Sequence, residues 1–381
     1  KITKVKIEKF SAPLKEPFRV AFGVIEDADS WTVKIETDEG IYGLGSAAPL
    51  AFVTGETMDT CYIVMKMFAD AFIGFDPMDI AGAHKLMDSI IYSNGAAKCA
   101  FDLALYDIIG KKKGLPVYKV LGGTNPVVHN DITIGINAPE KMEADAKEYV
   151  FEKGFRILKV KTGLDLATDI RALTLIRNAV GPDVRIRIDA NQGYSVETAL
   201  KALPEFEKLG IDAAEQFLPW WDFEGAAELK RKNTTSVKLM LDESIHNIHD
   251  AHRAAKLDCA DFYNIKLMKC GGLYYGAQIA DIAEEAGVGC MVGCMQENKI
   301  SIAAGVSLVA AKKAIVEADC DSFMFYKGDD DGIAGGFTRE GGVFTLLLIK
   351  VAVVRTELPV PEETAAKPAG FFAKLRRWLK G

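Results

Sequence analysis

Three carboxylates recur along the chain at nearly even intervals and could bind one metal ion together. Asp189, Glu215 and Asp242 each end a strand-like run, and they follow one another at steps of 26 and 27 residues. Oxygen ligands on a rigid scaffold suit a hard cation such as Mg²⁺, which keeps positions open for water or substrate. A single acid of this kind would be interpreted as a solvated strand end, but three in phase predict a Mg²⁺ site.

Two lysines flank these acids and could move protons. Lys161 precedes the first acid, and Lys266 follows the third. A lysine close to a divalent cation has a depressed pKa and can act as a base near neutral pH. A metal would also stabilise the enediolate that forms when the α-proton beside a carboxylate leaves. One lysine on each face permits racemisation or epimerisation. We expect Lys159 to supply a positive electrostatic field and to orient the neighbouring groups rather than to take the proton. We expect Lys269 to be a surface residue.

A repeated βα unit must position these residues. Strand-like runs alternate with helical runs, and their ends recur at steps of 24 to 28 residues, the length of one βα unit. Eight such runs close a barrel, whose active site lies at the carboxyl ends of the strands. The runs are Ile132–Ile136, Ile157–Lys161, Val184–Asp189, Ile211–Glu215, Lys238–Asp242, Phe262–Lys266, Val288–Cys294 and Ala314–Asp321.

The rest of the chain is divided around this barrel. Strand patterns followed by helices predict an α+β capping domain over residues 1–125, and the barrel domain takes residues 126–325. Residues 326–355 are expected to return to the capping domain. Residues 356–381 form a linker and a cationic amphipathic tail, of which 370–380 could contact a partner subunit or a membrane surface. A helix packed on the capping domain, or a frayed end, is the simpler interpretation of this tail.

The composition argues against several functional classes. The 381 residues include 46 basic and 53 acidic side chains, and the formal net charge of −7 gives no general affinity for nucleic acid. Seven cysteines lack zinc-finger or CxxC spacing, which favours free thiols in a reducing compartment. No apolar run is long enough to span a bilayer, and no signal peptide is visible. We expect a cytoplasmic protein and, in addition, a homo-oligomer.

Five short segments around the charged residues form a specific pattern: Lys159-Val160-Lys161, Asp189-Ala190-Asn191, Glu215-Gln216, Asp242-Glu243-Ser244 and Asn264-Ile265-Lys266. Together they resemble the enolase superfamily, muconate-lactonising subgroup. The resemblance implies an α/β fold, a (β/α)-barrel of the enolase type with an N-terminal α+β capping domain. It also implies that the two lysines are the acid/base pair and that the three carboxylates bind Mg²⁺.

A further segment, Asp319-Cys320-Asp321, resembles the signature of dipeptide epimerases within that subgroup. There the two aspartates bind the α-ammonium group of a dipeptide, and two anions pointing into a barrel mouth do require a cation. The resemblance thus implies a Mg²⁺-dependent dipeptide epimerase that acts by two-lysine 1,1-proton transfer through an enediolate. The other residues expected to bind substrate are Lys159, Asn191, Glu297, Gly23 and Thr133.

The lid segment departs from the pattern of epimerases that act on Ala-Glu. Those enzymes carry an arginine in this loop, and here Gly23 aligns with it. We therefore expect poor activity on Ala-Glu. An apolar second residue could pack against Phe22, Val24 or Ile25, and a cationic one could reach the lid acids, Glu26 and Asp27.

Two rival functions remain compatible with the same residues. A cycloisomerase or an o-succinylbenzoate-synthase-like enzyme shares the metal ligands and the lysines but does not need Asp319 and Asp321. A degenerate barrel that only binds peptides is the non-enzymatic alternative, and the intact pair of lysines argues against it.

Overall fold

The structure is a computed structural model that describes residues 1–21, 23–327, 333–347 and 352–353. The predicted linker and tail, residues 356–381, and Phe22 of the lid lie outside the described residues. No helix in the described part of the chain combines the length and the apolar character needed to cross a membrane.

The N-terminal part is an antiparallel sheet covered by helices, as predicted for a capping domain. The first two strands form a long hairpin that pairs Ile2 with Thr37 at its base and Val20 with Gly23 at its tip. The elements are β1 (Ile2–Val20), β2 (Gly23–Thr37), β3 (Tyr42–Ala47), α1 (Met58–Ala71), α2 (Ile80–Ile90), α3 (Gly95–Lys113) and α4 (Val117–Val120).

Eight parallel strands follow in sequence order within one sheet, which confirms the barrel. The first and last strands approach each other where the backbone N–H of Asp131 donates to the carbonyl oxygen of Ala318 at 3.2 Å. A short strand, β4 (Val127–His129), precedes them. The barrel strands are β5 (Ile132–Ile134), β6 (Ile157–Lys161), β7 (Arg185–Asp189), β8 (Ile211–Glu215), β9 (Lys238–Leu241), β10 (Phe262–Lys266), β11 (Gly289–Gly293) and β12 (Ile315–Asp319), within two residues of the predicted runs at either end.

Helices and helical turns connect these strands. They are α5 (Pro139–Lys147), a π-helical turn (Glu148–Glu152), α6 (Leu166–Val180), α7 (Val196–Lys208), α8 (Phe223–Lys232), α9 (Ile248–Leu257), α10 (Leu267–Cys270), α11 (Leu273–Glu285), α12 (Lys299–Val309) and a 3₁₀ turn (Ser322–Phe325).

The two domains meet directly behind the strand that carries Lys266. The first residue of α3 is Gly95, and a Cβ atom there would lie 2.3 Å from the carbonyl oxygen of Lys269 and 2.5 Å from that of Met268. Only glycine permits this approach. The capping domain is therefore seated on α10, the single helical turn that follows Lys266.

The segment after the barrel contacts both domains. Strand β15 (Val343–Leu346) pairs with β4 and with β14 (Phe337–Glu340), at the start of the barrel domain rather than with the capping sheet. The pair β13 (Ile333–Ala334) and β16 (Ala352–Val353) is separate, and Ile333 lies in one hydrophobic cluster with Leu44 of the capping domain and Ile300 of α12. The expected return over residues 326–355 therefore involves Ile333, while β15 extends the barrel side.

Candidate active site

The carboxyl ends of three neighbouring barrel strands bring the three predicted metal ligands together. Carboxylate oxygens of Asp189, Glu215 and Asp242 lie within 4.8 Å of one another, and all three residues are almost fully buried. Burial, followed by the neighbouring charge of Asp189, raises the pKa of Glu215. The three carboxylates lie close together and offer only oxygen donors, which fits Mg²⁺.

The two predicted bases stand on opposite flanks of this cluster. The Nζ atom of Lys161 lies 2.6 Å from Asp189 Oδ2, and that of Lys266 lies 2.7 Å from Asp242 Oδ2. Both lysines line the same cavity. The sequence predicted depressed lysine pKa values, but for Lys266 the residues of the chain give the opposite direction. Burial alone would lower its pKa, and the Asp242 carboxylate overrides this and raises it. The expected depression depends on a divalent cation that takes up the charge of Asp242.

Lys159 connects the carboxylate cluster to the predicted ammonium site. Its Nζ lies 2.7 Å from Asp319, 2.9 Å from Glu215 and 3.2 Å from Asp189. Burial opposes the charge, but these carboxylates outweigh it and raise the lysine pKa well above its usual value. Lys159 is therefore held in its protonated form, and its role in field and orientation stays a prediction.

Thr133 holds both aspartates of the predicted ammonium site. Its backbone N–H donates to Asp321 Oδ2 at 2.7 Å, and its hydroxyl donates to Asp319 Oδ1 at 3.3 Å. Burial and then the Asp319 charge raise the pKa of Asp321, whereas Lys159 lowers that of Asp319 against the effect of burial. The pair is crowded with negative charge and faces the cavity, as a cation-binding group must.

Lys269 is not a surface residue, and that prediction was wrong. It is 5% exposed, and its Nζ donates to Asp242 Oδ1 at 2.5 Å, to the Asp242 carbonyl oxygen and to the Asn264 carbonyl oxygen at 3.0 Å. The single turn α10 returns a residue three positions after Lys266 to the same side, which is the signal that the sequence offered. Lys269 therefore fixes the orientation of the third carboxylate.

Asn191 lies at the cavity, as predicted, and binds Glu243, which the sequence pattern did not single out. Its side-chain amide donates to Asp189 Oδ2 at 3.3 Å and to Glu243 Oε1 at 3.2 Å. Glu243 is buried and lines the cavity, and burial followed by the charge of Asp242 raises its pKa. Its position directly after Asp242 was the available signal.

The lid contributes apolar side chains to the cavity, and the predicted lid acids do not line it. Side chains alternate along a strand, so Ile25 faces the cavity while Val24 and Glu26 point away. Asp27 is exposed further along the hairpin. A Cβ atom at Gly23 would meet no atom within 4 Å, so the position beside Ile25 is open space. The apolar wall consists of Phe18, Val20, Ile25, Leu50, Val53, Met295 and Phe325.

Glu297 lies behind the cavity wall instead of in it. Its Oε1 accepts from the backbone N–H of Met295 at 2.9 Å, and its backbone exchanges hydrogen bonds with Ser322. It is 2% exposed, while Met295 and Gln296 form the wall in front of it. The expectation of direct substrate contact is therefore replaced by support of the loop after β11.

Comparisons with known proteins agree with this geometry. Residues 141–347 match the family described as Enolase C-terminal domain-like, and residues 2–122 match the Mandelate racemase / muconate lactonizing enzyme, N-terminal domain. A hydrophobic dipeptide epimerase of Enterococcus faecalis is 41% identical over 84% of this chain and 90% of that protein. An L-Ala-D/L-Glu epimerase of Clostridium acetobutylicum is 38% identical over 88% of this chain and 93% of that protein.

Solved structures give the same result. The dipeptide epimerase of Enterococcus faecalis V583, complexed with Mg and the dipeptide L-Leu-L-Tyr, superposes with a TM-score of 0.88 at 39% identity and covers 93% of this chain and 99% of that chain. The dipeptide epimerase of Cytophaga hutchinsonii, complexed with Mg and D-Ala-L-Val, gives a TM-score of 0.89 at 33% identity and covers 94% and 97%.

Proposed function

Because this chain belongs to the mandelate racemase / muconate lactonizing enzyme family of the enolase superfamily, we propose that it is a Mg²⁺-dependent dipeptide epimerase. It inverts the α-carbon of the second residue by 1,1-proton transfer between two lysines. The observation that carries this proposal is the position of Lys161 and Lys266 on opposite flanks of one carboxylate cluster.

Each step follows from residues of the chain. Asp319 and Asp321 bind the α-ammonium group and thereby fix the dipeptide in the cavity. One lysine removes the α-proton of the second residue, and the lysine on the opposite face delivers a proton, which inverts the carbon. Lys159 remains charged and adds to the positive field. Asp189, Glu215 and Asp242 would hold Mg²⁺, which would supply stabilisation of the negative charge that develops on the substrate carboxylate.

A proton-exchange screen tests this function. L-L dipeptides are incubated with the protein and Mg²⁺ in deuterated water, and the second residue is analysed for deuterium and configuration. Epimerisation gives deuterium at the α-carbon together with the inverted diastereomer. A failure of every dipeptide to exchange would contradict the proposal.

The rival functions explain fewer of the contacts. A cycloisomerase or o-succinylbenzoate-synthase-like enzyme needs no ammonium site, yet Thr133 and Lys159 hold Asp319 and Asp321 at the cavity. A barrel that only binds peptides needs no pair of bases on the two flanks of a metal site. Net elimination, or binding without exchange, in the same screen would favour these rivals.

The apolar side chains that the lid adds to the cavity favour a dipeptide substrate whose second residue is apolar. The cavity wall on this side is apolar, and the lid acids lie outside it, which removes the support for a cationic side chain. A substrate glutamate would lose a charged hydrogen-bond partner, which lowers kcat/KM by roughly ten- to a hundredfold. We predict that kcat/KM for Ala-Leu exceeds that for Ala-Glu and for Ala-Lys under the same conditions.

A pair of lid variants controls this prediction. Gly23→Arg extends a cation from a position with open space beside Ile25 and should raise activity on Ala-Glu. Glu26→Arg makes a similar change on the opposite face of the strand and should not. A wild-type preference for Ala-Glu, or equal gains from both variants, would refute this account of the lid.

We also propose a cytoplasmic homo-oligomer in which residues 370–380 make a peripheral contact. Supporting features are the seven free cysteines, six of them buried, and the cationic amphipathic pattern of the tail.

Truncation after residue 360 should leave kcat unchanged and should abolish any binding to anionic lipid vesicles. Sedimentation velocity of both proteins measures the oligomeric state. A folded truncated protein without activity, or vesicle binding that survives truncation, would contradict this role.

A further inference from the structure

The barrel interior beneath Asp319 and Asp321 contains a row of charged side chains. Barrel interiors are commonly packed with branched apolar residues. Here Arg187, which is 2% exposed, donates from Nε to Asp131 Oδ2 at 2.9 Å and from Nη1 to Glu317 Oε2 at 3.0 Å. Arg185, at the exposed end, binds Glu317 Oε1 at 2.6 Å. The negative charge of Glu317 is therefore paired with Arg185 on one side and with Arg187 on the other. Asp131 forms the inner end of the row.

Arg187, together with the segment that contains Asn130 and Asp131, also holds the backbone of the two aspartates. The backbone N–H of Asp131 and Nη2 of Arg187 both donate to the carbonyl oxygen of Ala318, at 3.2 and 3.3 Å. Asn130 Oδ1 accepts from the backbone N–H of Cys320 at 2.8 Å. The residue before the first aspartate and the residue between the two are therefore fixed, which sets the direction of both carboxylates.

The charges of this region leave room for one more cation. Oxygens of Asp131, Asp319 and Asp321 lie within 4.8 Å of one another, and their cationic neighbours are Arg187 and Lys159. Both cations are shared, since Arg187 also binds Glu317 and Lys159 also lies 2.9 Å from Glu215, so they do not neutralise the three carboxylates. Burial and then the Asp319 charge raise the pKa of Asp131, and the Arg187 and Lys159 charges only partly oppose this. Buried charge is stable only when it is paired.

We propose that the Asp131–Arg187 ion pair is a positioning element for substrate recognition, which holds Asp319 and Asp321 in the geometry and net charge that accept the α-ammonium group of the dipeptide. This inference rests on the proposed function and adds two residues to it. Asp131 acts through the aspartates above it, since its ion pair lies beneath them and it is 0% exposed. An arginine is required at position 187 because only its three-nitrogen fork can reach two carboxylates and a carbonyl oxygen together.

Asp131→Asn tests the proposal, because it keeps the shape and removes the charge. We expect KM for L-Ala-L-Leu to rise about tenfold or more, with a much smaller change in kcat, since the ammonium group does not react. The preference for L-Ala-L-Leu over its N-acetyl derivative, which has no ammonium group, should fall about tenfold. Mg²⁺ affinity, measured by calorimetry, should stay unchanged. A role in folding alone would leave the substrate preference intact.

Two further variants complete the experiment. Asp212→Asn removes an acid that pairs with Arg185 at the exposed end of the row and should behave as the wild type. Arg187→Lys keeps the charge but loses the fork, so it should reproduce the KM effect if the Asp131 variant does not fold. An unchanged preference in a folded, active variant would overturn the positioning role while the epimerase function stands. A wild-type protein that exchanges no dipeptide would overturn both.

Discussion

Replacement of Lys161 or Lys266 with alanine should abolish epimerisation, and each variant should lose α-proton exchange on only one configuration of the substrate. The two lysines stand on opposite flanks of the carboxylate cluster, so each reaches one face of the α-carbon. Removal of a general base lowers the rate roughly 10²- to 10⁴-fold. The remaining lysine can still remove and return a proton on its own face. The measurement is deuterium uptake by L-Ala-L-Leu and L-Ala-D-Leu, followed separately for each variant.

Lys→Ala changes elsewhere in the chain provide the control. Lys312 is a lysine of the barrel surface that pairs with Asp281, and Lys312→Ala should exchange both diastereomers as the wild type does. Loss of exchange on the same diastereomer in both active-site variants would show that the lysines act on one face. The two-base scheme would then be wrong.

Replacement of Asp242 with asparagine should remove turnover by weakening Mg²⁺ binding, while the fold is retained. Asp242 contributes one of three carboxylates, and its loss also leaves Lys266 and Lys269 without their shared partner. Removal of one partner from a buried ion pair leaves the other charge uncompensated, which costs about 3–5 kcal/mol. Calorimetric titration with Mg²⁺ and circular dichroism measure affinity and fold independently of activity.

A second variant separates ligand loss from orientation. Lys269→Met removes the amine that fixes Asp242 but leaves the carboxylate itself. We expect a loss of Mg²⁺ affinity smaller than that of Asp242→Asn, with activity partly restored at high Mg²⁺. Near-normal turnover of the Asp242 variant at trace Mg²⁺ would exclude this carboxylate from the metal site.

The periodic positions of charged residues made the barrel and the clustering of charged side chains at one edge predictable. A charge at the end of strand after strand has few structural explanations other than a shared site, and the steps of one βα unit place those ends on one edge. The predicted strand ends at Lys161, Glu215 and Lys266 are also the observed ones. These predictions depend on local patterns that the sequence displays directly.

Residues whose position depends on tertiary contacts were harder to predict. The buried position of Lys269 depends on a single helical turn pressed against the capping domain. The faces of the lid depend on the hairpin register, in which Val20 pairs with Gly23. Without that register, the sequence alone could not show that Ile25 faces the cavity while Glu26 points away from it.

Arg187 illustrates a signal that was present but not used. It lies two residues before Asp189 on the same strand, so alternation places both side chains inside the barrel. Its partner Asp131 comes from the opposite end of the sheet in sequence order, and nothing local in the sequence pairs the two. A long-range ion pair of this kind can be recognised only when the folded barrel shows that its two residues are neighbours.

The isotopic composition of both diastereomers at early times tests the central claim most directly. L-Ala-L-Leu is incubated with the wild-type protein and Mg²⁺ in deuterated water, and substrate and product are separated and analysed by mass spectrometry. Two-lysine transfer predicts an inverted product that carries one deuterium and a recovered substrate that remains largely protiated, because the delivering lysine differs from the one that removes the proton. An inverted product that retains the original proton, or deuterated substrate without any inverted product, would contradict it.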